Sequence, residues 1–364
     1  MSSFSCPLVE VEISAHDNAD ALEVARVFGY WCVVPKGEYV TGDKAVYIPE
    51  ASIVPDGILE KMGLLGKLNG PQHNRVKAIK LRGLLSQGLL YRAPEGIVAS
   101  PDGSCRRFAL GEDVSEFLGI EKYEPEIPFG MAGDVMNLGT EHVPHYDIEN
   151  IKNHPELIKD GEYVVMTEKI HGTFCGVGIM PFERDELIEK RIAVFSKGLG
   201  SQGLVFKENS VNSNNLYVRT IKSCGVDRFL LDNFGDSTVP VFIMGEIFGK
   251  GVQDLDYGMK RPEFRTFDLA FGAAGDIEYL PEMLWSDRFL SHFKPVEVLY
   301  RGPYSKEVMM KVTSGKETIS GGTHLREGVV IRPVEERYSH NIGRVIVKSV
   351  SEEYLLRKGG TEYK

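Results

Sequence analysis

Residues 163–178 read YVVMTEKIHGTFCGVG and join an apolar run to a lysine and a glycine turn. β-Branched and aromatic residues come first and Gly172 follows the polar group, which predicts a strand that enters a tight turn. Lys169 stands where this strand ends. An amine held at a strand end among apolar neighbours is a candidate nucleophile, because desolvation lowers the pKa of lysine. A solvated lysine on a surface strand is the alternative interpretation.

Length and composition indicate an ordinary globular protein with two domains. The chain has 364 residues, of which 42% are hydrophobic and 26% charged, enough for substantial cores. No run approaches the ~18 apolar residues of a membrane span, and the first residues lack the pattern of a signal peptide. The five cysteines are scattered, which argues against a disulfide framework and a zinc site. We expect a protein without membrane association in a reducing cytoplasm, or in the nucleus.

The net charge of −10 argues against a protein that binds nucleic acid over its whole surface. Binding to a phosphate backbone requires local cations, because these displace the counterions. A nucleic-acid enzyme is compatible with this charge if basic patches are set in an otherwise acidic surface. Its binding would then be weak and would depend steeply on salt.

Short strands separated by Gly, Asp and Pro residues predict a small barrel of OB type in residues 1–95. The run VKAIKLRG at residues 76–83, followed by SQG, is similar to a run in OB-type tRNA-binding domains. Its cations predict a stripe that binds a nucleic-acid backbone. The candidates are Lys77, Lys80 and Arg82. The alternative is the scatter of lysines found on any barrel surface.

The middle of the chain has little periodicity. Prolines interrupt residues 96–145, so we predict a linker there with one short helix at residues 114–118. Residues 146–364 are the predicted second domain. Residues 146–151 are predicted to open it as a helix, with Asp147 as the capping residue.

The hexapeptide EKIHGT at residues 168–173 resembles motif I of the covalent nucleotidyltransferases, which include polynucleotide ligases and mRNA capping enzymes. It is similar to the RNA ligase branch in particular. In that family the motif I lysine attacks the α-phosphorus of ATP and carries AMP, so the resemblance implies that Lys169 is the catalytic nucleophile. As a nucleophile it must be neutral, a state that a nearby cation favours. His171 replaces the aspartate of DNA ligases, and Phe174 stands where RNA ligases often carry asparagine.

Elements similar to the other family motifs follow in order. The strand at residues 241–249 resembles motif III, in which the glutamate, here Glu246, binds the ribose. Residues 264–271 resemble motif IIIa, which makes Phe267 the implied stacking partner of adenine, with core packing as the alternative. The run EGVVIRP at residues 327–333 is similar to motif IV. The resemblance places Glu327 toward metal and phosphates, and Arg332 is suited to meet phosphate.

Residues 344–349 resemble motif V, in which the family carries two lysines one residue apart. Lys348 matches the second lysine, whereas Ile346 stands in place of the first. The cation that holds the α-phosphate in its place, Arg344 or another, is therefore left open.

Glycines at residues 198–203 fit the pattern G-x-G-x-x-G. A dinucleotide site requires a helix directly after these glycines and a second strand, and the sequence predicts neither. We interpret the glycines as a turn that follows Ser196 and Lys197, which stand where ligases carry motif Ia.

The predicted fold class is α+β, with an N-terminal OB-type β-barrel followed by an antiparallel-sheet nucleotidyltransferase domain. The implied cofactors are ATP and Mg²⁺ or Mn²⁺. The implied nucleotide site consists of Ile148, Thr167, Glu168, Lys169, Gly172, Ser196, Lys197, Glu246, Phe267, Glu327, Arg332 and Lys348. The implied metal ligands are Glu327, Glu246 and His171.

The implied activity is that of an ATP-dependent RNA ligase, working as a monomer on nicked, RNA-containing duplexes. AMP passes from ATP to Lys169 and then to a 5′-phosphate, before a 3′-hydroxyl expels it. An OB domain ahead of the catalytic domain is similar to small RNA ligases with that order, whereas capping enzymes and most DNA ligases carry it afterwards. A DNA-joining or capping enzyme and a non-catalytic OB-type RNA-binding protein are the alternatives. The enzyme prediction requires the Lys169 amine to lie near both glutamates and Phe267.

Overall fold

The computed structural model describes residues 4–184, 187–273, 275–357 and 360. The strands of this part are β1 (Leu8–Glu10), β2 (Glu12–Ala15), β3 (Leu22–Val27), β4 (Tyr30–Pro35), β5 (Lys44–Ile48), β6 (Ser52–Ile53), β7 (Ile79–Leu81), β8 (Leu84–Ser86), β9 (Leu89–Arg92), β10 (Ile97–Ala99), β11 (Cys105–Arg107), β12 (Glu121–Lys122), β13 (Val135–Asn137), β14 (Glu149–Asn150), β15 (Tyr163–Lys169), β16 (Thr173–Arg184), β17 (Leu187–Ser196), β18 (Leu204–Phe206), β19 (Val241–Phe248), β20 (Glu263–Phe271), β21 (Glu278–Tyr279), β22 (Val298–Pro303), β23 (Gly328–Pro333), β24 (Tyr338–Ser339), β25 (Gly343–Arg344) and β26 (Val347–Val350).

The helices are shorter than the main strands and lie between them. The α-helices are α1 (Asp56–Lys61), α2 (Ser115–Leu118), α3 (Lys197–Gly200), α4 (Leu216–Cys224), α5 (Val226–Phe234), α6 (Asp287–His292), α7 (Lys306–Thr313) and α8 (Glu352–Leu355). Single 3-10 turns lie at Pro94–Gly96, Ile151–Asn153, Val211–Asn214 and Glu282–Leu284. Within the described ranges, no helix combines the length and apolar character needed to cross a bilayer.

The chain divides into two compact units. The first comprises Ser2–Glu124 and Glu149–Lys159, and the second comprises Pro125–Ile148 and Asp160–Lys364. In the first unit, antiparallel sheets β2-β3-β4 and β1-β5-β9 share the nearly continuous run of β1 and β2. Alternate side chains of both sheets point inward to one core, as expected for a small barrel. This core contains Val9, Val11, Ala25, Val27, Cys32, Val34, Ala45 and Leu90.

Part of the stretch predicted as a linker is folded into the first unit. Strand β10 pairs with β11, and β12 pairs with β6. The predicted helix at residues 114–118 corresponds to α2. The apolar residues of this stretch are few and irregularly spaced, so no periodicity revealed them, yet they are buried in a second core. They are Val98, Phe108, Val114, Leu118 and Ile120.

The second unit contains two antiparallel sheets. Its own strands form the orders β26-β23-β15-β22 and β17-β16-β19-β20-β21. Helices α4, α5 and α6 cover one face of the second sheet, through Leu216, Ile221, Leu230 and Phe289. The other face contributes Phe195, Phe242, Met244 and Ala270 to a core. Val330 of β23 and Ile346, which directly precedes β26, reach the same core from the sheet that contains β15. The sheets therefore face each other across an apolar layer.

Gly172 allows the chain to pass from one sheet to the other. It lies between β15 and β16, and a Cβ atom there would stand 2.2 Å from the carbonyl oxygen of Ile247 and 2.9 Å from Cγ of Glu246. A side chain at this position would force the turn away from β19. Glycine thus brings the end of β15 close to Glu246.

Candidate active site

The amine of Lys169 lies against a carboxylate rather than in solvent. Lys169 is the last residue of β15, and Gly328 of β23 stands opposite it. Glu327 directly precedes that strand, and its Oε1 atom is 2.8 Å from the Lys169 Nζ atom. The Lys169 side chain is 23% exposed and that of Glu327 is 12% exposed. The end of the predicted strand and the motif IV glutamate therefore meet as the sequence requires.

The pKa of Lys169 is raised, which differs from the expected lowering. Burial acts to lower the pKa of this amine, but the carboxylates of Glu327 and Glu246 together outweigh burial. The expected lowering rested on desolvation and a nearby cation, whereas two anionic groups lie near the amine. Before any ligand binds, the amine is thus protonated and paired.

Glu246 lies within electrostatic reach of Lys169 and carries an unusual proton affinity. Burial and the charge of Glu327 raise its pKa to about 8, although Lys169, Lys197 and the Gly172 N–H favour the ionised form. Protonated and ionised forms of the Glu246 carboxyl group are therefore both populated near neutral pH, and only the ionised form raises the pKa of Lys169. The protonated form is able to donate a hydrogen bond as well as accept one.

His171 is held on all sides by hydrogen bonds. Its backbone N–H donates to the Tyr257 hydroxyl at 2.8 Å. Its Nε2 atom is 2.7 Å from Asp254 Oδ1, and its Nδ1 atom is 2.6 Å from the Tyr354 hydroxyl. Because a carboxylate only accepts, Nε2–H donates to Asp254, and Nδ1 accepts from Tyr354. Burial lowers the pKa of His171 despite the Glu327 and Asp254 carboxylates, which agrees with this neutral form.

The donor set around Glu327 fits a divalent ion that is shared with phosphate. The Glu327 Oε2 atom is buried and accepts no hydrogen bond among the described residues. No three His, Cys, Asp or Glu side chains of those residues form a ready-made cage. The predicted trio is thus not preformed, because both ring nitrogens of His171 are engaged elsewhere. Mg²⁺ often binds one or two carboxylates together with substrate phosphates and water, and Glu327 provides such a carboxylate.

Three lysines, Lys169, Lys197 and Lys348, each lie within electrostatic reach of Glu246 or Glu327. Burial, Lys197 and Lys169 lower the pKa of Lys348 to about 8, although Asp147 and Glu327 oppose that change. The Lys197 Nζ atom is 2.6 Å from Asp147 Oδ1. Asp147 was predicted to cap a helix, but no helix starts there, and it binds Lys197 instead. Such a concentration of positive charge is suited to an anionic ligand.

An apolar and aromatic wall lies beside the lysines. The antiparallel pairing of β19 and β20 shifts register at Gly245, which leaves Phe267 as an extra residue in β20. Such a bulge re-aims side chains, and Phe267 stays half-buried. Its ring is 5.3 Å from that of Tyr146 and 6.0 Å from that of Phe174. The same core is contacted by the predicted nucleotide residue Ile148, by Val330 and by Ile346.

Arg332 and Arg344 belong to a buried ion-pair network. Arg332 donates to Asp268 Oδ1 at 3.2 Å. Arg344 donates to both oxygens of Asp268, at 2.8 and 3.0 Å, and also pairs with Glu336 at 2.6 Å. Both guanidinium groups are therefore committed to carboxylates. This geometry does not favour the predicted contact of Arg332 with phosphate, nor Arg344 as a substitute for the missing lysine at Ile346.

Of three other predicted nucleotide residues, Thr167 shares the strand face of Lys169, whereas Glu168 and Ser196 do not have free side chains. Thr167 lies two residues before Lys169 and so points to the same face of β15. Glu168 points to the opposite face, where its carboxylate accepts from the Thr318 N–H at 3.1 Å. Ser196 caps the short helix α3 by accepting from the Leu199 N–H. The side chains of Glu168 and Ser196 are thus occupied by structural hydrogen bonds.

The predicted nucleic-acid residues lie on an exposed hairpin of the first unit. Lys80 is in β7, Arg82 is in the turn to β8, and Lys77 precedes β7; all three are exposed. The Asn18 side chain donates to the Arg82 carbonyl oxygen at 3.1 Å, which anchors the turn. The role of these three residues in binding nucleic acid stays a prediction.

Several side chains at the site carried no sequence signal. Tyr146, Asp268, Tyr257, Asp254 and Tyr354 enter it through contacts between residues far apart in sequence. The glutamate and lysine positions were predictable because each lies in a strand or directly beside one, in a recognisable order. The supporting residues have no such spacing, so only the fold identifies them.

Comparisons with known proteins agree with this architecture. A family model described as RNA ligase matches residues 162–350, and a model described as an OB-fold domain matches residues 9–93. These matches confirm the predicted fold class and the predicted family. No curated protein sequence is significantly similar to the chain.

Solved structures of one ligase share the fold over almost the whole chain. Naegleria gruberi RNA ligase with PPi is 22% identical, with a TM-score of 0.74, over 97% of this chain and 98% of that chain. A lysine-to-methionine mutant of that ligase with AMP and Mn is also 22% identical, with a TM-score of 0.75 and the same coverage. A lysine-to-alanine mutant with ATP and Mn, likewise 22% identical, has a TM-score of 0.73 over 96% and 98% of the two chains.

Proposed function

Because the chain belongs to the RNA ligase family, we propose that it is an ATP-dependent enzyme that joins RNA 3′-hydroxyl and 5′-phosphate ends through a lysyl-AMP intermediate. The observation that carries this proposal is the Lys169 amine at a strand end, 2.8 Å from Glu327 and near Glu246. The Naegleria gruberi relatives were solved with ATP, AMP or PPi, and several with Mn. These ligands support ATP and a divalent ion as cofactors here.

In the first step the Lys169 nitrogen attacks the α-phosphorus of ATP. A nitrogen–phosphorus bond forms, the bond to pyrophosphate breaks, and the amine loses a proton. Glu327 is placed to hold that proton or to keep the amine oriented, since it is 2.8 Å away. When bound at Glu327, Mg²⁺ or Mn²⁺ supplies positive charge that offsets the phosphates and favours the neutral amine. The protein otherwise contributes position and charge.

The other residues of the site divide between the two ends of the nucleotide. Lys348 and Lys197 offset phosphate charge. Glu246 forms hydrogen bonds with the ribose hydroxyl groups. A carboxyl group with a pKa of about 8 suits this role, because its protonated form both donates and accepts hydrogen bonds. Phe267 and Ile148 bind the base through apolar contact. In this arrangement Ile346 belongs to the apolar and aromatic wall that it forms with Tyr146, Phe174 and Phe267, which we call the base wall.

Lys197 is the cation that we propose in place of the lysine missing at Ile346. Lys197→Ala should slow AMP transfer from ATP to Lys169 by about 100-fold, because one charged donor to the α-phosphate is lost. Transfer from Lys169 to a 5′-phosphate should slow similarly, since the same phosphorus reacts. Rapid-quench measurement of each step provides the test.

Lys222→Ala is the matched control for Lys197, because Lys222 pairs with Glu208 at the surface, 3.6 Å away. An effect of Lys197→Ala on the first step alone would assign Lys197 to pyrophosphate. An effect on the later steps alone would assign it to RNA. Either result would contradict an α-phosphate role.

We propose that the substrate is a nicked, RNA-containing duplex and that the enzyme acts as a monomer. The exposed hairpin with Lys77, Lys80 and Arg82 supports a contact with the nucleic-acid backbone. All five cysteines are free thiols, which supports the proposed reducing, cytoplasmic compartment.

Incubation with α-labelled ATP and Mg²⁺ tests the function. We expect one AMP per chain by intact mass, and faster sealing of nicks that end in a ribose 3′-hydroxyl than of all-DNA nicks. Labelling from GTP in preference to ATP would indicate a capping-type enzyme, and equal sealing of DNA nicks a DNA ligase. No labelling at all would indicate a non-catalytic RNA-binding protein.

A further inference from the structure

A row of side chains with alternating charge crosses the second unit beside the base wall. Neighbours in the row have nearest nitrogen–oxygen distances of 2.6 to 3.8 Å. The row runs through Arg301, Glu282, Arg332, Asp268, Arg344 and Glu336. It joins residues of several strands to the 3-10 turn that contains Glu282.

Two acidic residues of this row, Asp268 and Glu282, differ in how well their oxygens are satisfied. Asp268 accepts hydrogen bonds from Arg332, from Arg344 and from the Tyr146 hydroxyl. The Glu282 Oε2 atom is also buried, but it accepts no hydrogen bond among the described residues. The nearest guanidinium nitrogens of Arg332 and Arg301 are 3.7 and 3.8 Å from this oxygen, which is too long for a hydrogen bond.

A buried carboxylate oxygen without a donor is costly, and such groups require an explanation. A ligand that brings its own N–H group would remove the cost. Phosphate oxygens have no proton to donate, and the proposed function assigns the ribose hydroxyl groups to Glu246, whereas an amino group on a base is an N–H donor.

The strand register places Glu282 beyond the base wall as seen from Lys169. Across β15 and β23, Lys169 faces Gly328, Thr167 faces Val330, and Val165 faces Arg332. Val330 and Arg332 therefore share one face, about 6.6 Å apart along the strand. Val330 contacts the base wall, and Arg332 is next to Glu282. The order along the sheet thus runs from the attacking amine to the base wall and then to the free acceptor.

Building on the proposed function, we propose that Glu282 determines nucleotide specificity by accepting a hydrogen bond from the 6-amino group of adenine at Oε2. Arg332 is a positioning residue that holds the Glu282 carboxylate. Guanine presents a carbonyl oxygen at the same position of the ring. Two acceptors would then face each other without a proton, so the site rejects GTP.

Three nucleotides test this role: ATP, GTP and purine riboside triphosphate, which lacks the 6-amino group. The measured quantity is kcat/KM for nucleotide transfer to the full-length protein, followed by intact mass. The wild-type protein should prefer ATP over purine riboside triphosphate by about 10- to 150-fold, the usual worth of one hydrogen bond to a charged group. Glu282→Ala should lower kcat/KM for ATP but not for purine riboside triphosphate, and should so abolish the preference for ATP.

Glu282→Gln should also raise the use of GTP relative to ATP, because the amide offers an N–H to the guanine oxygen. Glu336→Gln is the matched control, since it makes the same change at another glutamate of the row, 2.6 Å from Arg344. It should leave the nucleotide preference unchanged. Melting temperatures of both variants separate a loss of folding from a loss of specificity.

Unchanged preferences in the Glu282 variants, with melting temperatures lowered as in Glu336→Gln, would reduce Glu282 to an ion-pair role and overturn the proposal. Equal use of ATP and purine riboside triphosphate by the wild-type protein would overturn it without any variant. Neither result would affect the ligase proposal, which fails only if the wild-type protein takes no nucleotide.

Discussion

Lys169→Ala should reduce AMP transfer from ATP to the protein by at least about 10⁴-fold, because no other group supplies the attacking nitrogen. Joining of an RNA end that already carries AMP should persist within about tenfold, since a 3′-hydroxyl is the nucleophile in that step. Gel assays with α-labelled ATP and with a pre-adenylylated nick measure the two activities separately. Loss of AMP transfer with retention of joining identifies the amine as a nucleophile rather than a structural cation.

Lys169→Arg is the control for charge. Removal of Lys169 leaves Glu327 and Glu246 without the cation that they share. The alanine variant therefore loses the positive charge and the nucleophile together, and by itself it does not separate the two effects. Arginine restores the positive charge but does not attack, because it stays protonated. We expect both variants to be inactive in the first step. If the Lys169→Ala variant were still labelled, at another residue, the nucleotide would be attached outside motif I and the prediction would be wrong.

The positions predicted from strand pattern and family order lie close together in the fold. Each of four residues occupies or borders an apolar run, and the alternation of side chains along a strand indicates the face on which each lies. They are Lys169, Glu246, Glu327 and Lys348. The fold brings Lys169, Glu246 and Glu327 into electrostatic contact. Local pattern was sufficient here because each functional group is tied to one regular element.

Contacts between distant residues were not predictable in the same way. Arg332 was expected to meet phosphate from its position at a strand end, but Asp268, 64 residues earlier, binds it. Asp147 looked like a helix cap and instead binds Lys197 across 50 residues. A charged side chain has a choice of partners, and strand periodicity does not specify which partner the tertiary fold provides.

Asp268→Ala should lower the free energy of unfolding of the second unit by about 3–5 kcal/mol, the typical cost of leaving a buried charge without its partner. Asp268 is 1% exposed, and its removal leaves Arg344, which is 8% exposed, with Glu336 alone. Urea unfolding followed by tryptophan fluorescence measures the change. In a Trp31→Phe background, Trp285 is the single tryptophan and reports on this unit.

The pH dependence of the Asp268→Ala effect separates lost charge pairing from lost packing. Burial acts to raise the pKa of Asp268, but Arg344 and Arg332 outweigh it and lower the pKa. A carboxyl group with a lowered folded-state pKa stabilises the fold above its unfolded value of about 3.9, and less as pH falls toward the folded pKa. The difference in the free energy of unfolding between wild type and variant should therefore be constant from about pH 5 to 8 and shrink in acid.

Glu336→Ala should lower the free energy of unfolding less than Asp268→Ala, because Glu336 is 25% exposed. A pH-independent loss, or one no larger than that of Glu336→Ala, would mean that the arginines find other partners and that the row is not held together by Asp268.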